Sequence, residues 1–275
     1  MKGFVITLVA VSFIAILLFF STALHNTHLS LERSLTGPQN FIYAAALFDG
    51  VSHELNAIVG PEFNISQSNS SIVLNFYDSI PYSNHTSGLN AYENFLEVMV
   101  ANESRANITV NLSNLTSEVV MHINEKYVYS NNMTGQNMFF TSEGGTDAES
   151  YTIQFTIYKS RSNVSDFIFN ESGDLNVTIY YSDLNGSESR IGKVFSNSAN
   201  TFRITYIDGS TVQIDVGQKY GNSGSLYVKP TDVNVPLSWS VILPAINSTA
   251  KRGYTYDSVM TYKNGNILLE RNLGK

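Results

Sequence analysis

Residues 202–216 read FRITYIDGSTVQIDV. Phe202, Ile204 and Tyr206 alternate with Arg203 and Thr205, and beyond Asp208-Gly209 the residues Val212, Ile214 and Val216 alternate with Gln213 and Asp215. Successive side chains of a strand point to opposite faces, so this period of two predicts two half-buried strands. Asp-Gly between two such runs predicts an antiparallel hairpin closed by a primed turn. Each strand has one apolar face, which needs a facing layer to cover it. That requirement makes the chain a sheet protein with a packed interior rather than a helical bundle.

The same alternation recurs on both sides of the hairpin. It marks SIVLNFY (71–77), ANITVNLS (106–113), SEVVMHI (117–123), KYVYS (126–130), YTIQFTIYK (151–159), FIFN (167–170) and DLNVTIYYSD (174–183). GQNMFFTSEGGTDAES (135–150) begins as a strand and runs into a glycine-rich turn. SGSLYVKP, PLSWSVILP with the single Trp239, and SVMTYKNGNILLERN complete the set, and Asn264-Gly265 marks a second tight hairpin. One stretch is helical instead: in GLNAYENFLEVMV (88–100), Leu89, Tyr92, Phe95, Leu96 and Met99 share a face, predicting a helix over 89–100. Short strands at such close intervals point to a mainly β, sandwich-like architecture. The length of 275 residues accommodates either one large unit or two, 64–145 and 150–275, divided near Glu143 to Ser150. Most tyrosines and phenylalanines fall at alternating strand positions, where packing accounts for them.

The first 60 residues follow a different rule. Phe4 to Phe20 is apolar except for Thr7 and Ser12, and the run extends to Leu24. A helix over 4–24 is long enough to span the roughly 30 Å hydrocarbon layer of a bilayer. A cleaved secretory signal is the competing reading, with Ser21-Thr22-Ala23 as small residues for a peptidase. The residues beyond favour retention. Leu24, His28, Leu31 and Leu35 continue one helical face to Gly37-Pro38, and Phe41, Ala45, Phe48, Val51, Leu55 and Ile58 resume it up to Gly60-Pro61. Residues 25–60 therefore read as an amphipathic helical stalk emerging from the apolar segment.

Lys2-Gly3-Phe4, with the apolar run starting directly after the glycine, resembles the leader of archaeal pilin-type surface proteins. That resemblance implies a short leader, residues 1–3, cut between Gly3 and Phe4, with the apolar helix kept on the mature chain as membrane anchor or filament core. It also implies self-association, or association with other subunits, through that helix. Stretches such as YENFL and NITVNLSNLT are similar to uncharacterised archaeal surface proteins with this start. Bacterial-type pilins carry Glu at the fifth mature position, and here that position is Leu8.

Composition narrows the function. A net charge of −7 provides no basic field for nucleic acid. Only 14% of residues are charged, and the polar surface is supplied by Asn, Ser, Thr and Tyr. The absence of cysteine removes disulfides, thiolate chemistry and Cys-ligated metals. Asn-x-Ser/Thr acceptor sequons occur at Asn64, Asn69, Asn84, Asn102, Asn107, Asn111, Asn114, Asn132, Asn163, Asn170, Asn176, Asn185 and Asn247, and none precedes Asn64. This distribution predicts N-glycosylation of a C-terminal body outside the cell, with the N-terminus inside. An unmodified Asn-rich chain is the plain alternative.

Candidate chemistry is sparse. His25 and His28 stand three apart without a third ligand, and no nucleotide, hydrolase or zinc motif appears. Asp183-Leu-Asn185-Gly-Ser187-Glu188 spaces oxygens like a calcium loop but lacks its Gly and distant Glu. Glu143, Asp147 and Glu149 form a small acidic patch. No metal, no cofactor and no catalytic residue is assigned, and the chain is expected not to be an enzyme. The reading is a single-pass, glycosylated cell-surface protein with a pilin-like structural or adhesive role, contacting membrane lipid through 4–24. The alternatives are an envelope-anchored carbohydrate-binding module or glycoside hydrolase, and a ligand-capturing receptor.

Overall fold

A computed structural model describes residues 21–22, 38–59, 61–67, 71–124, 126–142, 148–219, 221–244, 253–265 and 267–274. The leader residues Gly3 and Phe4, the apolar run apart from Ser21 and Thr22, the stalk before Pro38, His25, His28, Asn69, Asn247 and the acidic pair Glu143 and Asp147 lie outside them.

The described body is mainly β, as the alternation predicts. Its elements are α1 (Pro38–Val59), β1 (Glu62–Gln67), β2 (Ser71–Ile80), α2 (Thr86–Asn94), β3 (Asn107–Asn111), β4 (Glu118–Ile123), β5 (Tyr127–Asn132), β6 (Asn137–Ser142), β7 (Ser150–Thr156), β8 (Arg161–Ser165), β9 (Leu175–Asp183), β10 (Gly186–Val194), β11 (Ala199–Tyr206), β12 (Thr211–Lys219), β13 (Asn222–Thr231), β14 (Val235–Pro244), β15 (Tyr254–Asn264) and β16 (Ile267–Gly274). One sheet has the order β1-β2-β14-β7-β9-β10. The other runs β16-β15-β4-β5-β6-β13-β12-β11-β8, with β3 also on β15. Only β7 and β9 are parallel among the described pairs, because β8 leaves to join the opposite sheet between them.

The inner faces meet over one hydrophobic core. At its centre Trp239 of β14 stacks on Phe76 of β2, centroids 4.2 Å apart and rings 3° from parallel. Tyr129 and Phe140 from the opposite sheet close on the same pair at 5.1 and 5.3 Å. The segments 64–145 and 150–275 interleave here: β14 lies between β2 and β7, and β6 pairs with β13.

The hairpin at 202–216 has the expected phase, with Phe202 opposite Ile214 and Ile204 opposite Val212, all buried. Its turn differs from the primed form. The Gly209 N–H donates to the Tyr206 carbonyl at 3.0 Å, and the Tyr206 N–H donates to the Ser210 carbonyl at 2.9 Å. Three residues, 207–209, thus make the connection, with Gly209 alone at positive φ (+86°). A primed turn of the type expected needs two residues there, and Asp208 does not comply. In the second hairpin Asn264 pairs with Ile267, so Asn264 still belongs to the ladder, and Gly265 takes positive φ (+58°).

The helix expected over 89–100 starts at Thr86, changes at Phe95–Val100 to the wider π form, and ends at Ser104 before Arg105 in the left-handed region. The wider turn rotates the face, so Leu89 and Leu96 are buried while Phe95 and Met99 are exposed. Residues 167–170 are not a strand; Phe167 reaches the core from a connection. β1, β8 and β10 are not expected from alternation. The stalk helix α1 buries Ala44, Phe48, Val51, Leu55 and Val59, so Phe48, Val51 and Leu55 hold their expected places, while Phe41 is left exposed. It is tied to the C-terminal hairpin: Ser52 Oγ accepts from the Gly274 N–H at 2.9 Å, and Asp49 pairs with Arg271 at 3.0 Å.

Candidate glycan-bearing surface

Eleven of the sequon asparagines fall among the described residues. Asn64, Asn84, Asn102, Asn107, Asn111, Asn114, Asn163, Asn170, Asn176 and Asn185 are exposed; Asn132 is half-buried. They come from different elements for one reason. On β1, β3 and β9 the sequon asparagine takes the outward phase, opposite apolar residues such as Ile108 and Val177 that are buried. Others sit at connections. At two of these and at the last residue of β3, the carbonyl oxygen of Asn84, Asn170 or Asn111 accepts the backbone N–H of the hydroxyl residue two places on, at 3.0, 2.9 and 3.1 Å. That is the side-chain turn asparagine favours, and it leaves the amide nitrogen, the atom that would carry a sugar, without a role in the turn.

Asn132 differs. It closes the β5–β6 connection, its oxygen accepting from the Gly135 N–H at 2.5 Å, and Asn137 donates to the Gly135 carbonyl at 2.9 Å. Asn185 accepts from the Arg161 N–H at 2.8 Å, and Asn114 donates to Asp257 at 3.1 Å.

The calcium-like loop is a β9–β10 hairpin whose carboxylates face arginines. Arg161 and Arg190 both pair with Glu188, the latter at 2.7 Å, and the Tyr181 hydroxyl donates to Glu188 at 2.8 Å. That hydroxyl and the arginines hold the Glu188 carboxyl below its usual range. Asp183 lies against Arg161 at 3.6 Å. The guanidinium groups stand where a cation would compete, and they bridge the open edge of the sandwich between β8 and β10. Among the described residues no group of three His, Asp or Glu side chains is arranged to hold a metal.

Trp239, an obvious candidate sugar platform, is 2% exposed and belongs to the core. Alternation read residue by residue undervalues three other aromatics. Tyr77, Tyr158 and Tyr180 are 56%, 85% and 43% exposed. For Tyr77 the signal is phase: it follows Ile72, Leu74 and Phe76, which take the inner positions of β2. Two adjoining depressions on the outer face of the six-stranded sheet, of about 330 and 560 Å³, share Gln154, Phe155 and Thr156, and these tyrosines line them. Asp78 closes the floor beside Tyr77. It occupies an inner position, and burial pushes its carboxyl up to about 7 against opposing hydrogen bonds from Ser79 and Asn131.

Among the described residues no helix is long and apolar enough to cross a membrane; the run 4–24 lies outside them apart from two residues. No family model, no curated protein and no solved structure matches this chain.

Proposed function

We propose that this chain is a membrane-anchored cell-surface glycoprotein with a pilin-like structural or adhesive role. The apolar run 4–24 holds it in the bilayer, Gly3 and Phe4 flank the leader cut, and the sandwich stands outside bearing N-linked sugars. The observation that carries the reading is the placement of the sequons: ten of the eleven described asparagines present their side chains to solvent, although they are drawn from strands, helices and turns alike. Sugars there would hydrate the surface and shield strand edges such as β1 and β8 from edge-to-edge pairing. The docking of α1 on the C-terminal hairpin supports a head carried rigidly on its stalk.

Intact mass and N-terminal sequencing of the protein taken from native membranes test this. A start at Phe4 with added hexose mass supports it. A soluble product beginning near Leu24, or an unmodified mass, overturns it.

A further inference from the structure

The geometry points to a binding site for a neutral oligosaccharide on the outer face of the six-stranded sheet, along the row that joins Tyr77 to Tyr180. The register sets this row. Tyr77 of β2 lies opposite Ser238 of β14, Ser238 opposite Gln154 of β7, Gln154 opposite Tyr180 of β9, and Tyr180 opposite Ser189 of β10. All five occupy the outward phase, since their neighbours Phe76, Trp239, Ile153, Phe155, Ile179 and Tyr181 are buried. Three strand intervals separate the tyrosines, about 14 Å at the usual spacing. Two exposed rings at that separation, with a hydroxyl and a carboxamide between them, suit a short chain of pyranose rings. A sugar ring offers C–H groups of slight positive charge to the electron-rich aromatic face, and its hydroxyls lie at the rim, where Ser238 and Gln154 can donate and accept.

Charge selects the class. The two carboxylates bordering the row are already satisfied. Asp78 accepts from the Ser79 N–H at 2.6 Å and from Asn131 at 2.7 Å, and also from the Tyr129 hydroxyl. Glu188 is neutralised by Arg161 and Arg190. No side chain of the row itself is charged, so the face complements an uncharged, hydroxyl-rich ligand rather than an anionic or cationic one. The depressions beside the row, about 330 and 560 Å³, provide the volume. Among the described residues, the sequons on this face stand beside the row rather than in it: Asn64 pairs with Asn75 and Asn176 with Ser150, two and four residues along their neighbouring strands from Tyr77 and Gln154.

This inference rests on the adhesive half of the proposed function and names its ligand class. The test is calorimetric titration of the full chain in lipid nanodiscs, which avoid sugar-headed detergents, with cellohexaose, maltohexaose and mannohexaose, and with hexagalacturonate as an anionic control. Expected is saturable binding of at least one neutral hexamer. Tyr77→Ala or Tyr180→Ala should weaken it about tenfold, as expected for loss of one stacking platform. The double variant should abolish it, and Tyr43→Ala on α1 should leave it unchanged, all with unaltered far-ultraviolet circular dichroism. Failure of all three neutral hexamers to bind, binding unchanged in the double variant, or binding of hexagalacturonate alone overturns the proposal. Such a failure, in a chain that starts at Phe4 and carries sugars, leaves the surface assignment intact.

Discussion

Asp78 on β2 and Asn131 on β5 meet across the interior, the Asn131 amide donating to the Asp78 carboxylate at 2.7 Å and to the Ser79 carbonyl at 3.0 Å. The contact joins the two sheets by a polar link at the margin of an otherwise apolar core. Burial raises the Asp78 carboxyl from 3.8 to about 7. The folded state therefore holds a proton that the unfolded chain releases at lower pH. The stability tied to this group is complete below about pH 4 and is lost as pH rises toward 7. The difference between the ends of that window is about 4 kcal/mol. Urea unfolding of the wild type and Asp78→Asn at pH 4 and pH 8 should show the variant gaining on the wild type by that amount at the higher pH. A constant difference across the window would reject this account.

Trp239 is the only tryptophan, so it both packs the core and reports on it. Trp239→Phe keeps a ring against Phe76 and should cost less than Trp239→Ala, which leaves a cavity between the sheets and should cost about 3–5 kcal/mol. Equilibrium unfolding measures the two. In the wild type, emission should be blue-shifted and move red in a single transition.

Two glycines at positive φ should respond differently to alanine. Gly209, at +86°, has open space where a Cβ would go. Gly217, at +108°, would drive that atom into the Ser198 carbonyl oxygen, which is held in place by the Gln218 N–H at 2.9 Å. Gly209→Ala is expected to cost about 1 kcal/mol, and Gly217→Ala at least twice that, read as shifts in the thermal midpoint.

The sequons are expected to divide. Glycopeptide mass spectrometry should find sugar on exposed sites such as Asn107, Asn163 and Asn176, and least on Asn132, the one half-buried member among the described sequons. Asn132→Gln should lower stability by about 1 kcal/mol through loss of its bond from the Gly135 N–H, while Asn163→Gln changes mass and not stability. Sugar on Asn132 at the level of its neighbours would overturn the distinction.

How far the chain could be read in advance follows from where each signal resides. Strands that bury one face against apolar neighbours were legible, because their alternation is written locally; Phe202 to Val216 is the clearest case. β10 was not, since two of its inward positions are Glu188 and Arg190, which face the Tyr181 network rather than a greasy layer. β1 escaped for a related reason: as an edge strand it carries only Phe63 and Ile65 toward the core. The run Phe167 to Phe169 imitates a strand because a connection can also anchor itself with aromatics. Turn details failed where one residue decides: Asp208 declines the positive φ that a primed turn demands. The tyrosine row was invisible because register between β2, β14, β7 and β9 is a tertiary fact, with no trace in any single segment.

The insertion of β14 between β2 and β7 bears on the order of events during biogenesis. Tyr77 and Gln154 are both waiting for Ser238, so the six-stranded sheet stays split until the ribosome has delivered nearly all of the chain. Contacts of such long sequence separation make for slow folding. In an exported protein, the head would pass the translocation machinery as open chain and assemble only on the far side. Enzymatic glycosylation and folding would then compete for the same minutes.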